Sequence, residues 1–236
     1  MAKTAIEWAT DVWNPVTGCS KVSAGCANCF AETVFHRWGQ NQGRKFTDVQ
    51  MHDDRLDAPR HWKKPRRIFV NSMSDLFHEK VSRGFLKSVS GVFMDCPQHI
   101  FMILTKRPER AMEYFNADPP PSNVWLGVSV ENNAALYRID ILRKIKVAVR
   151  FVSFEPLLGK INNIRFSGRG LHWAICGAES GTNRRPFEVD WAESLYLACH
   201  QERLKFFMKQ DSAFKPGQQG RIPDWLWKVK EFPNRS

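Results

Sequence analysis

The chain has 236 residues, 43% of them hydrophobic and 25% charged, with 9 Trp, 17 Phe and no low-complexity tract beyond Pro119-Pro120-Pro121. That composition excludes a largely disordered chain, and no stretch approaches the ~18 uninterrupted apolar residues of a membrane span. The 35 Lys+Arg against 24 Asp+Glu leave a net charge of +11, which favours a polyanionic partner such as DNA, RNA or a nucleotide.

In chain order, Met1-Ala2-Lys3-Thr4 leads into Glu7 and Asp11 without an apolar signal region, so a cytoplasmic protein is expected. A first strand is expected near Ile6–Trp13. The segment Gly18–Phe30 follows, with Cys19, Cys26 and Cys29 in a C-x6-C-x2-C spacing, and then a helix over Phe30–Trp38. The run Arg60-His61-Trp62-Lys63-Lys64-Pro65-Arg66-Arg67 is dense in cations and carries an aromatic, a composition suited to phosphate contact with base stacking. From there hydrophobic runs alternate with helical stretches. Strands are expected at 67–72, 99–105, 124–130, 149–154, 173–177 and 204–209, and helices at 83–95, 108–116, 132–145 and 190–203. Pro108 stands where it opens a helix.

Such alternation predicts an α/β domain in which six or seven parallel strands, covered by helices, form a curled sheet or partial (β/α) barrel. A full eight-stranded barrel usually needs about 250 residues. No linker or repeat divides the sequence, so a single domain over 1–236 is expected.

Polar residues collect where the strands stop: Asn71, Ser72 and Ser74 after the first, Lys106 and Arg107 after the second, Ser129 and Glu131 after the third, Glu155 after the fourth, and Glu179 after the fifth. In parallel α/β folds these ends line one mouth, where ligands bind. Asn183-Arg184-Arg185-Pro186-Phe187 adds a second basic and aromatic segment.

The other cysteines, Cys96, Cys176 and Cys199, are remote from the first three, and a chain of this kind belongs in a reducing compartment. Three thiolates converging from one loop suit a soft metal or a cluster. Structural zinc wants a fourth ligand, for which His36 is nearest, whereas an iron–sulfur cube on three cysteines keeps one iron open. Three unliganded thiols are the remaining option. Cys176, on an apolar strand, is either a small core residue or a hydrogen-atom donor to a substrate radical.

The cysteine loop resembles that of the radical S-adenosylmethionine superfamily, in which a three-cysteine loop precedes a partial parallel barrel. More closely, the chain resembles a bacterial and phage-borne radical-SAM-like family of unassigned function. The likeness rests on Trp13–Cys19, Gly25-Cys26 through Glu32, Asn71–Phe77, Leu104–Arg107, Gly127–Glu131, Phe154–Leu157 and Gly177–Gly181. The superfamily's usual spacing is C-x3-C-x2-C, so three extra residues stand in the first gap here. Asn28 takes the place of the usual aromatic, and Phe30 follows Cys29.

The resemblance implies a [4Fe–4S] cluster on Cys19, Cys26 and Cys29, with S-adenosyl-L-methionine chelated at the open iron. It implies the methionine amino group at Asn71, Ser72 and Ser74, its carboxylate at Lys106 or Arg107, and the ribose at Ser129 and Glu131. Glu155 and Glu179 are left for adenosine or substrate. An electron donor such as flavodoxin or ferredoxin would reduce the cluster, and the substrate would be nucleic acid or a nucleotide, in base modification or photoproduct repair. Two other classes compete: a zinc-stabilised nucleic-acid-binding protein without catalysis, and a barrel hydrolase using paired carboxylates among Glu131, Glu155 and Glu179.

Overall fold

The computed structural model describes residues 4, 6–38, 43–162, 164, 166 and 170–234. Seven strands belong to one sheet: β1 (Asp11–Trp13), β4 (Arg67–Val70), β5 (Ile100–Thr105), β6 (Val124–Ser129), β7 (Val149–Phe154), β8 (Trp173–Gly177) and β9 (Lys205–Gln210). They lie in the order β1-β4-β5-β6-β7-β8-β9. The α/β class and the strand count expected from the alternation are both found. A separate two-stranded sheet, β2 (Val16–Thr17) with β3 (Gln50–Met51), was not foreseen, because two residues carry no periodicity.

The chain divides into two compact units. The first comprises Met1–Leu126 with Ile145–Ala148. Here β1 pairs with β4 and β4 with β5, all parallel. Helices α1 (Phe30–Trp38), α2 (Arg83–Asp95) and α3 (Pro108–Ala117) belong to it. Ser82 caps α2 by accepting from Phe85 N at 3.1 Å. The helix buries Phe85, Leu86, Val89, Val92 and Phe93, one apolar stripe at helical spacing. In the core beneath, Trp13 meets Phe93 edge to face and Phe101 packs tilted against both.

The second unit comprises Gly127–Lys144 with Val149–Ser236. Parallel pairs β7–β8 and β8–β9 form its centre, with a register shift at Cys176/Gly177. Helix α4 (Tyr137–Arg143) packs on β7, α5 (Val189–Gln201) on β8 and β9, and α6 (Asp224–Trp227) on β9. The helix expected at 132–145 is broken: a 3-10 turn at Asn133–Ala135 precedes α4. Trp173, Phe207 and Phe232 fill the core of this unit. Among the described residues, no helix is long and apolar enough to cross a membrane.

Candidate metal centre and the strand ends

In the first unit the cysteine loop is fastened on two sides. Gly18 N donates to Met73 O at 3.1 Å, and Ser74 Oγ donates to Gly18 O at 2.5 Å. Cys19 N donates to Phe46 O at 2.9 Å. Gly18 has φ +84, and a Cβ there would lie 2.8 Å from the carbonyl oxygens of both Phe46 and Asp48, so only glycine fits this crossing. Beyond it, a 3-10 turn at Ala24–Cys26 carries the second cysteine, and the third immediately precedes α1.

All six cysteines are free thiols, but only Cys19, Cys26 and Cys29 are partly exposed; the other three are buried. Cys29 acts electrostatically on Cys19, and Cys26 and Cys29 both act on Lys21, whose ammonium is held charged mainly by Glu32. Burial and the Asp75 carboxylate push the Cys19 thiol up; the Arg107 guanidinium opposes them. Among the described residues, no three His, Cys, Asp or Glu side chains stand in a metal-holding group. As a donor set, three accessible thiols with cations beside them fit a soft metal or a cluster. His36 faces Glu32 at 4.0 Å.

The ends of β4 and β5 are built around Asp75. Its carboxylate is buried and accepts from Thr105 Oγ1 at 2.8 and 2.9 Å, Lys106 N at 2.9 Å and Phe77 N at 3.0 Å. Arg107 Nη1 lies 3.4 Å from Asp75 and 3.6 Å from Cys19 Sγ, while Nη2 donates to Ser20 O and Oγ at 3.1 and 2.9 Å. Burial alone would lower the pKa of Arg107, but Asp75, Cys19 and Glu79 raise it. His78 Nδ1 accepts from Lys80 N at 3.1 Å, so the ring proton sits on Nε2 and points to Ser20 Oγ at 2.8 Å.

The sequence-predicted contacts here divide by chemistry. Asn71 is 3% exposed with φ 63, in the left-handed region. Its Oδ1 accepts from Val16 N at 3.1 Å, which leaves Nδ2 as a buried donor without a partner in the described structure. A spare donor suits a carboxylate rather than the amino group expected there. Ser72 Oγ donates to Asn14 Oδ1 at 3.3 Å and Ser74 Oγ to Gly18 O, so both present lone pairs, which do suit an ammonium. Asp75, Ser20, Asn14 and His78 were missed as site residues. Asp75 lies within the resembling motif, but nothing local marked it as the hub.

In the second unit the strand-end carboxylates are all engaged by cations. Arg138 Nη1 pairs with Glu131 Oε2 at 2.9 Å and also donates to Ser129 O at 2.8 Å; both side chains of the ion pair are at most 3% exposed. Lys209 pairs with Glu155, and Arg185 grips Glu179 through Nε, Nη2 and its backbone N. Cys176 is fully buried. Burial, chiefly, and Glu155 push its thiol far up, and it acts on Cys199 of α5. This places Cys176 in the core, the first of its two expected readings.

The basic segments are also more structural than their composition suggested. Trp62 is 5% exposed with the Arg66 guanidinium 4.8 Å from its ring centroid, so its face is closed to a base. Arg60 is tied to Asp57 and Asp95, and Arg66 to Asp11. The run ends on Arg67, the first residue of β4, whereas Asn71 follows the strand, about 13 Å further along it. Phe187 is 1% exposed and cannot stack either.

These features define an α/β protein with a three-thiol loop fastened over the ends of two neighbouring parallel strands. The chain belongs to the DUF5131 family, described as a protein of unknown function, whose sequence profile matches residues 3–230. No curated protein and no solved structure matches it.

Proposed function

We propose that the chain is a radical S-adenosylmethionine enzyme whose [4Fe–4S] cluster is held by Cys19, Cys26 and Cys29. The observation that carries the reading is the contrast among the cysteines: the three on one glycine-pinned loop are accessible, and the other three are buried. When bound, cluster and cofactor together supply the one-electron chemistry that yields a 5′-deoxyadenosyl radical.

The chain's own groups hold and orient. Lys106 brings an ammonium to the end of β5 and is the cation for the methionine carboxylate. The spare Nδ2 donor of Asn71 serves the same acceptor, and the lone pairs of Ser72 and Ser74 take the methionine ammonium. In the second unit, Glu131, Glu155 and Glu179 stand at the strand ends as ion pairs with Arg138, Lys209 and Arg185. Of the three glutamates Glu155 has the most exposed side chain, at 21%, and brings Lys209 with it. A low-potential carrier such as flavodoxin or ferredoxin supplies the electron. The net charge of +11 supports a nucleic-acid or nucleotide substrate through steering.

Anaerobic reconstitution with iron and sulfide tests this. The expected product is brown, carries about four irons per chain and changes its electron paramagnetic resonance spectrum on adding S-adenosylmethionine. Cys19→Ala, Cys26→Ala or Cys29→Ala abolishes the chromophore, whereas Cys96→Ala keeps it. Stoichiometric zinc with no iron after anaerobic handling overturns the proposal in favour of a zinc-stabilised protein.

A further inference from the structure

We infer that Arg107 is a positioning residue for the cysteine loop: it clasps Cys19-Ser20 to the ends of β4 and β5 and raises the reduction potential of the cluster. It does not bind the methionine carboxylate. The clasp follows from geometry alone; the effect on potential rests on the radical-enzyme reading.

Every side-chain nitrogen of Arg107 is committed. Nη1 lies against Cys19 Sγ at 3.6 Å and Asp75 at 3.4 Å, Nη2 donates to Ser20 O and Oγ, and Nε faces Glu79 at 3.3 Å. The side chain is only 11% exposed. Its backbone is indexed to the same frame, since Arg107 N donates to Thr105 Oγ1 at 2.9 Å and that hydroxyl donates to Asp75. Asp75 therefore aims the guanidinium, and the guanidinium holds the loop. Ser20 Oγ completes the clasp by accepting from His78 Nε2 as well.

A guanidinium fixed against a cluster sulfur, with little water between, favours the electron-rich oxidation state. Asp75 and Glu79 offset part of that field without removing it, because Arg107 is the group in contact with the sulfur. Lys106 has its backbone on Asp75, and among the described residues its ammonium has no ion pair; it is the cation left for a ligand carboxylate.

The test compares wild type, Arg107→Gln, Arg107→Lys and Lys106→Gln as full chains. Hydrogen exchange on the metal-free proteins reads the clasp: in Arg107→Gln and Arg107→Lys, the amides of the 18–29 loop exchange at least about tenfold faster, because a lysine cannot span the same five acceptors. Unchanged exchange overturns the positioning role, whatever the metal proves to be. On reconstituted protein, the midpoint potential of Arg107→Gln falls, while Arg107→Lys, which keeps the charge, stays closer to wild type. S-adenosylmethionine affinity drops about tenfold or more in Lys106→Gln and stays within about twofold in Arg107→Gln. An unshifted potential in Arg107→Gln, or a large affinity loss there, overturns the inference. Failure of wild type to take up iron overturns the radical reading instead, and leaves the exchange comparison to decide the clasp.

Discussion

Replacing Gly18 by alanine should loosen the cysteine loop more than any other single methyl group in this region. The backbone there has φ +84, a left-handed conformation that costs an L-residue about 1–2 kcal/mol. The added Cβ would also lie 2.8 Å from the carbonyl oxygens of Phe46 and Asp48 and 3.1 Å from the Asp48 carbonyl carbon. Both neighbours are backbone, so they cannot rotate aside, and relief requires the strands of chain to part at a further cost of about 1–3 kcal/mol. Together Gly18→Ala should destabilise by about 2–5 kcal/mol, a fall in urea midpoint of about 1–2 M at an m value of about 2–3 kcal/mol/M. The parting also pulls Cys19 N away from Phe46 O, so iron uptake on reconstitution should fall with it. Gly91 is the control. It lies inside α2 with nothing within 4 Å of an added methyl, and Gly91→Ala should stabilise by about 0.5–1 kcal/mol. A midpoint for Gly18→Ala within about 0.2 M of wild type would refute the argument that this crossing needs glycine.

Trp62→Ala should cost about 3–5 kcal/mol in urea unfolding, because the ring is a buried packing element under Arg66, and should leave any oligonucleotide binding unchanged at temperatures where the variant is folded. Glu131→Gln should cost about 3–5 kcal/mol, since it leaves Arg138 buried without its counter-charge; a loss below about 1 kcal/mol would show that water reaches the pair. Stability should also fall in mild acid. Burial lowers the pKa of His52, His78, His99 and His172, so the unfolded chain takes up these protons first. Their contribution is in place above about pH 6.5 and is lost as pH falls through that value toward the folded pKa values. Urea midpoints between about pH 7.5 and 5.5 should track this loss, and His78→Gln should flatten part of the slope. At lower pH Asp211 should add a second fall. Burial works to raise its pKa, but hydrogen bonds from Arg221 and Ser212 hold it down, so its contribution is lost only as the pH drops below about 3.9; Asp211→Asn should abolish that step.

Local pattern was enough for the elements whose signal is local. The helix over 83–95 and the strand over 173–177 stand as their periodicity and length imply, and the helix over Phe30–Trp38 follows the third cysteine as expected. The C-x6-C-x2-C spacing marked the loop, because three thiols within eleven residues sit on one short stretch of chain. What composition could not reveal was the partner each long side chain takes. Lys106 and Arg107 are adjacent and chemically alike in sequence, yet only Arg107 reaches Cys19 and Ser20, which lie 88 and 87 positions away. Trp62 reads as a stacking surface until Arg66 and the core close over it, and Glu131, Glu155 and Glu179 read as open ligand groups until the fold supplies Arg138, Lys209 and Arg185. Periodicity and capping act over a few residues, so the chain announces them directly. Ion pairing and burial depend on which distant segments the packed strands bring within a few ångströms, and that is settled only when the chain has folded.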